Sequence, residues 1–186
     1  MEKPKASSFL SENKFWEIIS AVNVDVYSYE KVSQLLIEEL NKITEKEIIG
    51  FLYNYSVLSN SIYNDKLWAA AYIVMGGCSD DCFDYFRDWI IIRGRTVYYK
   101  ALNNPDSIYM EYDKIEEGDI PYFENYAVKE VFEERFGKDI NYEEENCDFE
   151  NAFNREDIQI SWSEYDESLK KICPKTFNRW WNNERF

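Results

Sequence analysis

Gly76-Gly77-Cys78-Ser79-Asp80-Asp81-Cys82-Phe83-Asp84-Tyr85-Phe86-Arg87-Asp88-Trp89-Ile90-Ile91-Ile92-Arg93-Gly94 carries a complete helix signal, from the stop of one helix to the stop of the next. Glycine just past a helix takes up the left-handed conformation without steric penalty, so Gly76-Gly77 closes the segment before it. Ser79 can cap the next helix with its side chain, and Asp80 and Asp81 in the first turn suit the positive end of the helix dipole. Phe83, Phe86 and Ile90 fall on one face at helical spacing, which marks the buried side. Asp80, Asp84 and Arg87 lie together on the opposite side at i, i+4 and i+7, with Asp81, Tyr85 and Asp88 next to them. The spacing predicts a helix that runs to Ile92 and stops at Gly94.

The same grammar extends in both directions. Upstream, Leu67, Trp68, Ala71, Tyr72 and Met75 form a helical stripe that starts near Asp65. Thr44 and Glu47 make a capping box, and Ile48, Phe51, Leu52, Tyr55 and Leu58 continue its helix to about Tyr63. Two further helices precede it, from about Glu12 to Val22 and from a cap at Ser28 to Leu40. Downstream, a sixth helix is expected over roughly 96–102, ending before Asn103-Asn104-Pro105.

Beyond 110 the signal weakens. Residues 111–121 read as an acidic loop, 122–136 as a helix stopped by Gly137, and 141–150 as a solvated acidic stretch. A short helix is expected over 164–172. Asp157 to Trp162 is the best strand candidate, through its short alternation of apolar and polar residues. The expected fold is therefore all-α: a compact domain of about six core helices at 11–136. It has a flexible lead at 1–10 and a less regular acidic extension at 137–186, packed on the same domain.

Composition narrows function by exclusion. The chain of 186 residues has no histidine, which removes Ser-His-Asp and Cys-His catalysis and His-ligated zinc. Gly76-Gly77 lacks the Lys-Ser/Thr of a phosphate loop and follows no strand, so no nucleotide motif is present and no cofactor is expected. The net charge is −15, and residues 111–186 hold 21 of the 36 acids against 10 of the 21 bases. Such a surface repels phosphate backbones and anionic lipid, which argues against nucleic acid and membrane as direct partners and is compatible with a basic protein. Met1 to Ser8 contains no apolar leader core, so a cytoplasmic location with reduced thiols is expected for Cys78, Cys82, Cys147 and Cys173.

Three blocks together resemble a bacterial family of unknown function: Leu67 to Ile73 as W-x-A-A-Y-[IL], Gly76 to Ile90 as G-G-C-S-D-D-x-F-x-Y-F-R-x-W-[IL], and Ala101 to Ser107 as A-L-x-x-P-D-S. Phe15-Trp16 is similar to the family's early element, and the resemblance covers roughly 13–135. Cys82 departs from the small residue expected there. The resemblance implies a domain and a fold, and no activity.

Candidate functional residues gather at the helix corner. Asp80, Asp81, Asp84 and Arg87 could form a carboxylate site for acid–base work, and Asp80, Asp81 and Asp84 could hold a divalent cation, since hard cations take oxygen ligands. The plain alternative is an N-cap with acids that complement the dipole and an arginine paired along its own helix. Cys78 precedes a helix N-terminus, but the neighbouring acids oppose thiolate formation and a buried inert thiol is expected. Arg179, Trp180 and Trp181 either dock back on the domain or anchor a partner. The leading expectation is a non-enzymatic acidic interaction module, of the kind that masks a basic partner. The alternative is a carboxylate-based enzyme or cation-binding module at the Gly76–Arg87 corner.

Overall fold

The computed structural model describes residues 6–23, 29–111, 125–140, 152, 155 and 157–181. Among them the fold is all-α, with no strand. The helices are α1 (Glu12–Val22), α2 (Tyr29–Leu40), α3 (Glu45–Ser61), α4 (Asp65–Met75), α5 (Asp80–Ile92), α6 (Arg95–Asn103), α7 (Asn125–Phe136), α8 (Asp166–Ile172) and α9 (Pro174–Trp180). Short 3-10 turns occupy Ala6–Ser8 and Pro105–Met110.

The caps read from the sequence at Thr44 and Ser79 are present, and the Thr44/Glu47 capping box closes in both directions. Ser11, not singled out from sequence, caps α1, its Oγ accepting from the Lys14 amide. Gly76 takes up the left-handed conformation at φ 68° and ends α4, while Ser79 caps α5. The proposed Ser28 cap, the acidic loop at 112–121 and the acidic stretch at 141–150 lie outside the described residues.

The core is heavily aromatic. Trp89, Tyr98, Phe15, Phe51, Phe83, Phe86 and Phe132 are among the fully buried side chains. Helices α3 and α5 bring these rings together with α1 and α6: Phe15 meets Phe51 at 4.8 Å between centroids, and Trp16 meets Tyr98 at 5.2 Å. The corner between α4 and α5 is fixed by stacking of Trp68 on Phe83 at 5.0 Å and by donation from Trp68 Nε1 to the Cys78 carbonyl at 2.9 Å. Such ring pairs contribute about 1 kcal/mol each beyond their burial.

Residues 6–10 belong to the stretch read as a flexible lead, yet Ala6 and Leu10 are buried against α3. Gly50 allows that approach: a Cβ there would stand 2.5 Å from the Leu10 backbone nitrogen and 2.9 Å from the Phe9 carbonyl carbon. Asn54 Nδ2 locks the contact by donating to the Leu10 and Gly50 carbonyls, both at 2.8 Å. Gly50→Ala must therefore push backbone, not a flexible side chain. We expect a loss of roughly 1–3 kcal/mol, with fast amide exchange appearing first in residues 6–10. Unchanged exchange there would contradict the docking described.

Asp157 to Trp162 is not a strand. The segment is irregular, and instead of a ladder it makes single contacts to the start of α4. Trp162 Nε1 donates to the Asp65 carbonyl at 2.8 Å, and Ser161 Oγ bonds the Asp65 carboxylate. Ile160 is 47% exposed while Ile158 and Trp162 are half-buried against the core, so the apolar positions 158, 160 and 162 do not form one buried face.

Two elements not expected from the sequence begin at a proline. Pro105 opens a 3-10 turn and Pro174 opens α9, each at a first helical position where the missing N–H costs nothing. Helix α9 packs on α4, α8 and the Pro105–Met110 turn.

Candidate functional site

Between α3 and α5 lies a cavity of about 330 Å³ lined by Tyr55, Ser56, Ser59, Asn60, Asp84, Arg87, Asp88, Ala152 and Arg155. Each wall follows from helical geometry. Asp84, Arg87 and Asp88 span one turn of α5 on the side that faces α3, with Arg87 flanking the apolar stripe and lying against the Phe83 ring. Tyr55, Ser56, Ser59 and Asn60 are the facing turn of α3.

Arg87 is the centre of the arrangement and is only 3% exposed. Its Nη1 donates to the Ser59 carbonyl at 2.8 Å and to Ser59 Oγ at 2.6 Å, and its Nη2 donates to Asp84 Oδ1. The guanidinium thus satisfies a carbonyl near the end of α3, where a cation also meets the negative end of the helix dipole. The Tyr63 and Phe83 rings lie 5.0 and 5.5 Å from it. Its Nε is buried and has no hydrogen-bond partner among the described residues.

Arg155 closes the cavity from the C-terminal extension. Its Nη1 donates to the same Asp84 Oδ1 at 3.2 Å, and its guanidinium stacks 4.0 Å from the Tyr63 ring centroid. Asn60 Nδ2 holds the neighbouring Ala152 carbonyl at 2.7 Å. One carboxylate oxygen therefore lies between two guanidinium groups.

Asp88 has a different environment. The Tyr55 hydroxyl donates to its Oδ1. Burial is the dominant influence and pushes its carboxyl up to about 7, against the lowering effects of the Tyr55 hydrogen bond and of Arg87. Burial likewise raises the Tyr55 hydroxyl well above its ordinary range, so it stays a donor.

This has a consequence for stability. Between about pH 4 and pH 7 the folded state holds a proton on Asp88 that the unfolded chain has released. Stability therefore falls as pH rises through that window, and the loss is complete above 7, by up to about 4 kcal/mol. Glu12 and Glu47, held low first by hydrogen bonds from Tyr99 and Thr44, act with the opposite sign and below 4.5, so they do not mask it. Denaturant titrations at pH 5 and pH 8 should show the decline in wild type and a flat profile in Asp88→Asn. Equal slopes in the two proteins would contradict the assignment.

The residues singled out from sequence separate into two groups. Asp84 and Arg87 meet at the cavity. Asp80 and Asp81 are exposed in the first turn of α5, beside the Ser79 cap whose Oγ accepts from the Cys82 amide at 3.3 Å, and neither lines the cavity. Among the described residues no three His, Cys, Asp or Glu side chains are placed to hold a metal ion.

Cys78, Cys82 and Cys173 do not line this cavity. Burial pushes both Cys78 and Cys173 up to about 12, and Cys147 lies outside the described residues. Trp180 is buried, with Nε1 3.3 Å from the Tyr109 carbonyl, and Arg179 covers its ring at 5.2 Å. Trp181 is half-buried, stacks on Tyr72 at 5.9 Å and donates to Asp166 Oδ1 at 2.7 Å. Among the described residues no helix is long and apolar enough to cross a membrane.

Sequence reasoning passed over Tyr55, Ser59 and Arg155. Tyr55 reads as one more core aromatic in a helical stripe. Ser59 carries no local signal. Arg155 reaches Asp84 across 71 positions of chain that no periodicity connects. Only Asp88, one residue after Arg87 in the quoted block, was visible as a neighbour.

Comparison with curated proteins and with solved structures finds no match. The family described as Protein of unknown function (DUF4240) matches residues 10–134. The matched segment holds the whole of α5 and its α3 partner, and the Arg155 wall lies beyond it. A match over well more than half of the 186 residues means that this protein belongs to that family.

Proposed function

We propose that this domain is a binding module whose site is the α3–α5 cavity and whose ligand is a small polar molecule. The observation that carries this reading is the convergence of Arg87, Asp84, Asp88 and Tyr55 from two helices on one solvent-accessible hollow, closed by Arg155. Perturbed titratable groups in a concave site are the usual mark of a functional pocket. A volume of about 330 Å³ is at the small end of ligand pockets, so the ligand is metabolite-sized. This keeps Asp84 and Arg87 of the expected cluster, leaves out Asp80 and Asp81, and adds Asp88, Tyr55 and Arg155. A carboxyl that titrates near neutrality also suits acid–base chemistry, which keeps a carboxylate-based enzyme as a variant of the same reading.

The test uses Arg155, which lies at the rim and is exposed, so Arg155→Ala leaves the fold intact. A thermal-shift panel of small anions, cations and neutral polyols is applied to wild type and variant. A true ligand at a hundred times its Kd raises the wild-type unfolding temperature by roughly 5–10 °C and has much less effect on the variant. A panel in which every shift is the same in both proteins would reject the cavity as the site.

A second reading rests on the net charge of −15. It takes the acidic surface as the contact face for a basic protein, with association that slows steeply as salt is added. Binding to basic proteins that is indifferent to ionic strength would count against it.

A further inference from the structure

We infer that the α3–α5 cavity takes the carboxylate or phosphate group of a small molecule, gripped between Arg87 and Arg155. The inference rests on the cavity being a ligand site and adds the chemical class. The whole chain is strongly acidic, so a cationic ligand is the naive expectation. The local charge says otherwise. Two guanidinium groups face one committed carboxylate, Asp84, whose Oδ1 both of them share. The other acid, Asp88, sits under the Tyr55 hydroxyl and is protonated through much of the range below neutrality. The cavity is therefore locally neutral to positive in a chain of net charge −15.

Its hydrogen-bonding capacity points the same way. Arg87 Nε is buried without a partner among the described residues, on a side chain that lines the cavity, and an unpaired buried donor is destabilising until something accepts from it. Ser59 Oγ accepts from Arg87 and still has its own O–H to give, and the Ser56 hydroxyl lines the same wall. The planar forks of two arginines match a carboxylate or phosphate better than any cation.

An anion placed here also acts on Asp88. The groups facing that carboxyl are Tyr55 from α3, Asp84 and Arg87 from its own helix, and the Arg155 guanidinium at the cavity wall. A ligand carboxylate adds negative charge beside it and raises its affinity for a proton, so binding draws a proton in.

Isothermal calorimetry on the full chain tests this with acetate, succinate and inorganic phosphate as anions, and methylammonium and guanidinium as cations. The expected result is binding of an anion and not of the cations, weakened at least tenfold in Arg155→Gln. Phosphate titrates near neutrality itself, so the pH arm uses the carboxylates. Their affinity should fall by up to tenfold per pH unit above 7, and Asp88→Asn should bind without that dependence. Preference for phosphate over both carboxylates would assign the ligand's anionic group as phosphate, and the reverse as carboxylate. Cation binding that Arg155→Gln strengthens or leaves unchanged, with none of the three anions bound, overturns the anion assignment and leaves the cavity as a ligand site. Failure of all five probes, together with an unchanged thermal-shift panel in the Arg155 variant, removes both.

Discussion

Arg87→Leu should lower stability by roughly 3 kcal/mol, or about 10 °C in unfolding temperature for a chain of this size. The reason is what the guanidinium leaves behind. Leucine fills much of the space and keeps the contact with Tyr63 and Phe83, so packing alone predicts a small effect. The Ser59 carbonyl and hydroxyl, however, lose a charged donor at 2.8 and 2.6 Å within a buried site. A buried acceptor left unpaired costs its full desolvation, whereas the bond that satisfied it contributed less than that. Asp84 is about half exposed and keeps Arg155, so its own charge adds little to the loss. A second readout separates this account from general damage. Arg87 lowers the Asp88 carboxyl, so its removal should move the upper end of the pH window over which stability falls upward from about 7. Arg87→Lys keeps the charge but cannot reach Ser59 and Asp84 at once with a planar fork, and should recover that upper end more than the stability. A leucine variant within 1 kcal/mol of wild type, with the upper end of the window unmoved, would mean that Arg87 is a bystander.

These expectations also mark where sequence reading stops. Helix α5 was legible because its signals are local: a cap, two first-turn acids, a glycine at each end and an apolar stripe at one spacing. The pairing of Asp84 with Arg87 was legible for the same reason, at three positions apart on one helix. Whether Asp88 is a surface acid or a carboxyl held near neutrality depends on Tyr55, 33 positions away, and on the desolvation that α3 imposes. No pattern in α5 encodes that. Asp80 and Asp81 drew attention as paired acids, and their location in the first turn of the helix explains their presence by the dipole alone. Pro105 reads as a stop, whereas Pro174, which draws no reading from sequence, begins the helix that docks the C-terminal tryptophans.

Asp106→Ala should release that C-terminal helix while the rest of the domain remains folded, at a cost of about 3 kcal/mol to the docked state. Helix α9 has no side-chain cap of its own, since Cys173 precedes it and Pro174 occupies its first position. Asp106 supplies the cap from a distant turn. Its Oδ1 accepts from the Thr176 amide at 2.8 Å and from Thr176 Oγ1 at 2.9 Å, and its Oδ2 accepts from the Lys175 amide at 3.1 Å. A carboxylate at this end also meets the positive pole of the helix, and the group is 91% shielded from solvent, so water replaces it poorly. Asp106 lies in the A-L-x-x-P-D-S block within the matched family segment, whereas the helix it caps lies outside that segment. A residue of the family domain thus holds the extension in place. Trp180 and Trp181 report the event directly, because release takes one out of the core and the other off Tyr72. The variant should show red-shifted tryptophan emission and early proteolytic cleavage after 166, with far-ultraviolet circular dichroism reduced only by the loss of short helices. Asp106→Asn keeps one acceptor for Thr176 and loses the charge, so it should fall between the two. If emission and cleavage match wild type in Asp106→Ala, the tail is held by its aromatic contacts alone and the remote cap is dispensable.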